Sequence, residues 1–374
     1  MATILVGFVQ FRTDNFTKKL KEKQPIVILF IVTEKIEVQF LEIFLYDPGT
    51  KKGGIFYIPA NLGTKIESID RYDKVERLYN PDNIQPLKAK IEQILDLSIP
   101  FYIDTSIENL GNLVDLVGGV ELFISNPVDL VYNGERVLLP SGSVLLDGDK
   151  IKDYIRYTEP LEEDRENVGR KQKFLGALLK KMGSPATRAL LLKKQAFDYV
   201  QTCFKTNLNS RALQTFIVEL ERLQSDRMLY QRVLGTLKEV DGVQGPILFP
   251  HYEGNLIKQT VKQSLETIAS DDPKYDEAMT VAIELLNGTQ MDGLAKRTKA
   301  LFESFGYDVI SYHNADHENY LNTIILDRTG KSHFAERVAE VIKCDKIYLK
   351  LDPESNVDIT IILGKDFDGR YCSK

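Results

Sequence analysis

From Pro25 to Leu62 the hydrophobic positions come in three blocks, IVILFIV, VQFLEIFLYDP and GGIFYIPANL, separated by short charged or glycine-bearing breaks. Short apolar runs rich in β-branched and aromatic residues predict strands of one buried sheet. The spacing then turns helical over Pro86–Leu95, where Leu87, Ile91, Ile94 and Leu95 line one side. A strand at Phe101–Asp104 and a helix at Ile107–Val117 follow, and Gly118-Gly119 lets the chain turn sharply into the strand VELFI. Alternating elements of this kind predict a mixed α/β domain with its sheet flanked by helices. Val137–Leu146, broken by Pro140-Ser141-Gly142 and Asp147-Gly148, reads as turns feeding a helix at Lys150–Tyr157 that Asp147 caps. A long helix from about Gly169 carries Phe174, Leu175, Leu178 and Leu179 on one face, and helical spacing continues through Arg188–Val200, Ser210–Arg222 and Leu256–Ile268.

Ala269–Ala278 is acidic, contains Pro273 and reads as a linker. Behind it come MTVAIELL, the turn Asn287-Gly288-Thr289, a helix at Leu294–Phe305, YDVISY, YLNTIILD, a helix at His333–Ile342, a short strand IYLKL and a last strand VDITIIL. This order predicts a small α+β unit of βαββαβ type with helices on one face of its sheet. The chain is thus expected to comprise an N-terminal segment (1–24), a large domain (25–268), the linker (269–278) and a small domain (279–370). The N-terminal segment opens on an apolar run, Ala2–Phe11, followed by Arg12, Lys18, Lys19 and Lys21. A spanning helix needs roughly 20 apolar residues. The run is therefore either the end of a membrane anchor or a buried first element, and the charged spacer favours the anchor.

Composition narrows the function classes. Among 374 residues, 43% are hydrophobic and 27% charged, enough for two packed cores. A net charge of -6 offers no general attraction to phosphate backbones, so nucleic acid is excluded as a partner. Cys203, Cys344 and Cys372 are widely separated and define neither a metal motif nor a disulfide framework. His313 and His317 have helical spacing, but Asn314 and Asp316 between them predict a solvated turn rather than a metal site.

Three segments, NLVDLVGGVELFI at Asn112–Ile124, LLDGDKIKDYIR at Leu145–Arg156 and RKQKFLGALL at Arg170–Leu179, resemble in order and spacing the landmarks of the LytR-CpsA-Psr domain. The resemblance covers about Pro25–Ile268. ELLNGTQMDGLAKRTKALFESFGYDV and VDITIILGKDF resemble the C-terminal domain often found behind it. The resemblance implies an extracytoplasmic protein on the cytoplasmic membrane that moves a glycopolymer from a polyprenyl pyrophosphate to peptidoglycan. Such chemistry asks for an apolar lipid pocket, arginines on the pyrophosphate and carboxylates on a magnesium ion.

This sequence departs from the family pattern at those positions. Glu37 and Gln39 stand where the resemblance expects Arg and Asp, Ala60 and Asn61 where it expects Arg-Asp, Thr158 at a second arginine, and Val168 at a third. Glu34, following Thr33 and shifted by one place, is the weak candidate for a metal carboxylate; otherwise no metal ligand is expected. Arg156, Lys171 and Gln172 remain, with Arg165 or Arg170 beside them, as candidates for a phosphate or anionic lipid. The plainer alternative makes them exposed helix charges paired with Glu162, Glu163 and Asp164. Asp115 reads as a helix residue supporting the glycine turn. The expectation is a relative that has lost transfer, needs no cofactor, and binds a polyprenyl-linked lipid or wall polymer or scaffolds envelope proteins. The competing expectation is an active transferase, using magnesium, with a site rebuilt from Glu34, Arg156, Arg165, Arg170 and Lys171. A regulator of transcription has no support in the acidic balance or in any recognition-helix motif.

Overall fold

The computed structural model describes residues 14–124, 127–132, 135–157, 164–233, 235–250, 254–271, 281–305, 307–330, 332–352 and 355–373. The apolar run Ala2–Phe11, Thr158, Glu162, Glu163 and most of the acidic linker lie outside them. In chain order the helices are α1 (Asn15–Lys21), α2 (Gln85–Leu95), α3 (Ile107–Leu116), α4 (Gly148–Arg156), α5 (Asp164–Gly183), α6 (Pro185–Leu191), α7 (Lys194–Thr202), α8 (Ser210–Glu219), α9 (Asn255–Ala269), α10 (Leu294–Ser304) and α11 (Ser332–Ile342). The strands up to the glycine turn are β1 (Ile26–Glu34), β2 (Glu37–Tyr46), β3 (Gly53–Ile58), β4 (Gly63–Ile66), β5 (Arg71–Lys74), β6 (Phe101–Ser106) and β7 (Val120–Ile124). They continue with β8 (Val128–Tyr132), β9 (Glu135–Leu139), β10 (Gly142–Leu146), β11 (Lys205–Thr206), β12 (Leu229–Arg232), β13 (Gly235–Lys238) and β14 (Ile247–Pro250). The last are β15 (Ala282–Asn287), β16 (Asp308–Asn314), β17 (Ile324–Asp327), β18 (Ile347–Leu349) and β19 (Ile359–Leu363).

These elements fall into two compact units. The first takes the described residues up to Lys35, Phe44–Lys52 and Ile99–Ser225. Its sheet is mixed: β6 runs parallel to β1, from Ile28↔Phe101 to Thr33↔Ser106, and antiparallel to β11. Every side chain of β1 from Ile26 to Thr33 is buried, as a strand covered on both faces requires. Helices α1 and α3 pack on it. Phe16 of α1, 1% exposed, meets Phe101 and Phe216 edge-on at 5.3 and 5.9 Å; burying one such ring contributes about 1.5–3 kcal/mol.

Helix α3 starts where the Ser106 hydroxyl accepts the Asn109 N–H at 3.1 Å and stops at Gly118 and Gly119, with φ of 76° and 86°. The chain then forms the antiparallel pair β7–β10, in register from Leu146↔Val120 to Gly142↔Ile124, and the hairpin β8–β9. Val137–Leu146 is therefore strand, not turns. Alternation of buried and exposed positions along β10 is the period-two signal, and the Pro140-Ser141 connection breaks it into pieces too short to stand out. Two helix boundaries also differ from expectation: α5 begins at Asp164, and a break at Leu192–Lys193 divides α6 from α7.

Helices α3 and α4 approach as closely as two backbones can. A Cβ on Gly148 would fall 2.4 Å from the Gly111 carbonyl oxygen and 2.6 Å from Asp115 Oδ2. The Gly148 N–H donates to Asp115 Oδ1 at 2.7 Å, and Asp147 caps α4 by accepting the Lys150 N–H at 3.0 Å.

The second unit comprises Ile36–Ile43, Gly53–Ser98 and the described residues from Asp226 onward. Here β12 runs parallel to β3, α9 packs on both strands, and β4–β5 and β13–β14 form antiparallel pairs. Neither these pairs nor β12 stood out as strands, because all are short and, β14 apart, largely polar. The C-terminal elements follow in the order β–α–β–β–α–β–β, the short β18 being the addition to βαββαβ. Their sheet runs β16-β15-β19-β17-β18. Ile283, Leu285, Ile325, Ile359 and Ile361 turn one face of it toward Leu294, Phe302, Phe334 and Val338 of α10 and α11 in one buried cluster. Arg370, 5% exposed, donates to the Val341 carbonyl and, at 2.7 Å, to Gln259 Oε1 of α9.

Gly148→Ala is expected to destabilise the first unit by about 1–3 kcal/mol, the usual cost of overpacking. Equilibrium urea unfolding measures it, and unchanged stability would contradict the close approach.

Candidate functional site

Three of the candidate residues, Glu34, Arg156 and Arg170, come together in the first unit. Glu34 is the last residue of β1, at the C-terminal end of a parallel pair, where open α/β sheets place their ligands. Arg156 ends α4. Its Nε and Nη2 both donate to Glu34 Oε1, at 3.0 and 2.7 Å, and its Nη1 lies 3.6 Å from Asp153 Oδ1 one turn back. The side chains of Arg156 and Glu34 are 17% and 28% exposed, so water screens this pair less than a surface one. Burial pushes the Asp153 carboxyl above its ordinary range, and Arg156 pulls it back only in part.

Arg170 reaches the same place from α5. Its Nη2 donates to the carbonyl of Tyr157 at 3.1 Å, and its guanidinium lies 4.8 Å from the centre of the Tyr157 ring. Tyr157 follows Arg156, so the two arginines flank one residue. Lys171 and Gln172, 9% and 6% exposed, are buried and engaged with partners. They are not exposed helix charges, which corrects the plainer alternative for these two. Arg165 sits on the first turn of α5, and its side chain lies outside the described residues.

The remaining positions belong to the second unit. Glu37, at the start of β2, is exposed, and Gln39 is half-buried. Asn61 has structural work: its Nδ2 donates to the Pro246 carbonyl at 3.2 Å and its own carbonyl accepts the Leu248 N–H at 2.9 Å. His313 lies in β16 rather than in a turn, and His317 stacks on Tyr320 at 4.2 Å. Asn287 uses its side chain within its own turn, on Thr289 and the Met291 carbonyl.

Magnesium needs several oxygen ligands in a near-octahedral set. Among the described residues no group of three or more His, Cys, Asp or Glu side chains gathers to supply them, and Glu34 Oε1 is already shared between two Arg156 donors.

Sequence reasoning passed over Asp153, although an acid three residues before Arg156 on a helix is a recognisable pair. It also passed over Tyr46 and Glu219, which meet at 2.7 Å beside an apolar hollow of about 200 Å³ lined by Phe16, Phe44, Phe216, Leu220 and Leu223. Burial and Glu219 push the Tyr46 hydroxyl far above its ordinary range. Nothing in the sequence marks the hollow, since it needs β2 and α8 brought together.

The family model LytR_cpsA_psr matches residues 43–262, and that of the LytR cell envelope-related transcriptional attenuator matches 280–367. The chain belongs to the LytR-CpsA-Psr family. Curated relatives include a polyisoprenyl-teichoic acid–peptidoglycan teichoic acid transferase, TagU, of Bacillus mycoides, 23% identical over 55% of this chain and 66% of that one. A cell wall biosynthesis protein, LcpA, of Corynebacterium glutamicum is 22% identical over 75% of this chain and 55% of that one. This LytR-CpsA-Psr protein thus spans between about half and two thirds of the length of these relatives. Bacillus subtilis TagV shares the fold, with a TM-score of 0.57 at 17% identity over 65% of this chain and 98% of that one. A structure of TagT bound to LI-WTA superposes with a TM-score of 0.53 at 16% identity, over 66% and 92%. Fold and family are those the sequence motifs implied.

Removing either partner of the Arg156–Glu34 pair has unequal effects. Arg156→Ala leaves Glu34 and Asp153 without their cation and is expected to cost about 2–3 kcal/mol, Glu34→Ala less, with a coupling of about 1 kcal/mol in the double mutant. Denaturant unfolding of the four proteins gives the cycle, and strict additivity would show that the pair is not formed.

Proposed function

We propose that this envelope protein of the LytR-CpsA-Psr family binds an anionic ligand of the polyprenyl-phosphate type and does not transfer polymer. One observation carries the reading: both N–H donors that Arg156 would present to a phosphate are held on Glu34. Transfer from a pyrophosphate needs donors aimed at the charge that develops on the leaving group, together with a metal or its equivalent. A guanidinium neutralised by its own carboxylate supplies neither until that carboxylate moves. A phosphate monoester asks for less. It can take the Nε and Nη2 donors in exchange for Glu34, with Arg170 close by to share its charge.

The setting comes from the relatives, whose names describe teichoic acid transfer to peptidoglycan and cell wall biosynthesis. Among the described residues no helix is long and apolar enough to cross a membrane. Membrane attachment through the N-terminal run is part of this proposal and rests on its apolar and basic sequence alone. The competing reading, an active transferase, draws on the same cluster, since Arg156 and Arg170 do flank Tyr157.

Vesicles carrying a polyprenyl phosphate separate the two. Binding by the purified chain is expected to fall at least tenfold in Arg156→Ala and to tighten in Glu34→Gln, which keeps the shape of the side chain and removes its charge. Polyprenyl pyrophosphate should remain intact with magnesium present. Metal-dependent cleavage that disappears in Arg156→Ala would establish the transferase instead, and binding indifferent to both substitutions would refute the site.

A further inference from the structure

We infer that Cys344 and Cys372 are the two halves of an intramolecular disulfide that fastens the C-terminal tail to the end of α11. The sequence keeps them far apart, and the fold brings them together. Helix α11 ends at Ile342, Lys343 takes a left-handed conformation with φ of 52°, and the Cys344 N–H closes the helix on the Ala339 carbonyl at 3.0 Å. The tail returns to this spot. The Cys372 N–H donates to the Ile342 carbonyl at 2.8 Å, two residues from Cys344, and Cys372 bridges to Phe367, which is 2% exposed. The Cys344 thiol faces the Thr323 carbonyl at 3.3 Å, and the Cys372 thiol interacts directly with both Cys344 and Thr323. Backbone hydrogen bonds on both sides therefore hold the two residues side by side before any covalent bond forms. The third cysteine, Cys203, belongs to the first unit and is buried at the end of α7.

The two thiols differ in the way an exchange reaction needs. The hydrogen bond from Cys372 holds the Cys344 thiol below its ordinary range, against the effect of burial, while the same bond pushes Cys372 up. Cys344, the more readily ionised thiol, attacks a small disulfide, RSSR, as its thiolate and expels RS⁻, which takes up the proton Cys344 gave up. The Cys372 thiol then attacks the Cys344 sulfur, passes its proton to the departing RS⁻ and closes the bond. Two S–H bonds and one RS–SR bond are lost; one protein S–S bond and two RSH form. Such a bond persists outside a reducing cytoplasm, the setting implied by the wall-building relatives. Its presence does not depend on whether the Arg156 cluster binds a ligand.

The test uses the full chain, reduced and then equilibrated with oxidised glutathione as RSSR. Alkylation under denaturing conditions and intact mass should count three free thiols in the reduced protein and one, Cys203, after oxidation. Peptide mapping should recover the Cys344 and Cys372 peptides joined, and melting should rise by about 5 °C in the oxidised form. Cys372→Ser, at a partly buried position, should lose the link and the rise together. Three free thiols persisting in oxidised glutathione, a link through Cys203, or only intermolecular dimers would overturn the inference, whatever the folding of the variant.

Discussion

Gly148 has room for a hydrogen atom and nothing larger, and the arrangement of the first unit depends on that. Its backbone N–H is bonded to Asp115 while its Cα lies against the Gly111 carbonyl, so α4 cannot begin anywhere else along α3. Helix α3 in turn packs on β1 and β6. With its first residue fixed in this way, α4 delivers its last turn, and Arg156 with it, to the end of β1 where Glu34 waits. Asp115 and Asp147 serve this geometry through backbone amides, one holding Gly148 and the other Lys150. Both are better understood as parts of the scaffold than as chemical groups.

The electrostatics that result are local and nearly closed. Two carboxylates, Glu34 and Asp153, face one guanidinium that is mostly withdrawn from water. Pairing two charges in such a place roughly balances the cost of desolvating them, whereas removing one leaves the rest uncompensated. An incoming anion therefore does not find a vacant cation. It must displace a carboxylate and offer Arg156 equally good geometry, which favours a tetrahedral oxyanion with donors already aligned along Nε and Nη2. Arg170, held on the Tyr157 carbonyl and over its ring, adds positive potential without competing for the same oxygen.

The sequence disclosed the fold wherever periodicity and punctuation coincided. The blocks that became β1, β2 and β3, the Gly118-Gly119 turn and the C-terminal order were legible because each run is bounded by residues that only certain backbones accept. The hairpin strands β8 to β10 were not, because exposed Leu138 and Leu145, 61% and 60% accessible, blur their alternation. Of the site, Arg156 and Glu34 were named from the sequence, but that they would neutralise each other depends on a contact between residues 122 positions apart. Lys171 and Gln172 read as candidates for a phosphate, with exposed helix positions as the plainer alternative. Their burial follows from what α5 packs against, which no local pattern encodes.

The departures from the family's charge pattern fall on side chains, while the features that determine this backbone are present. Gly111, Gly118, Gly119 and Gly148 are constrained by collisions and by φ, and Asp115 and Asp147 by backbone donors that would otherwise lack partners. Ala60 and Asn61 are under no such constraint. At the end of β3 Asn61 ties the Pro246 segment and β14 through one side-chain and one backbone bond. Arg156, by contrast, serves the fold as well as the site, since it neutralises Glu34 and Asp153 in a place mostly withdrawn from water.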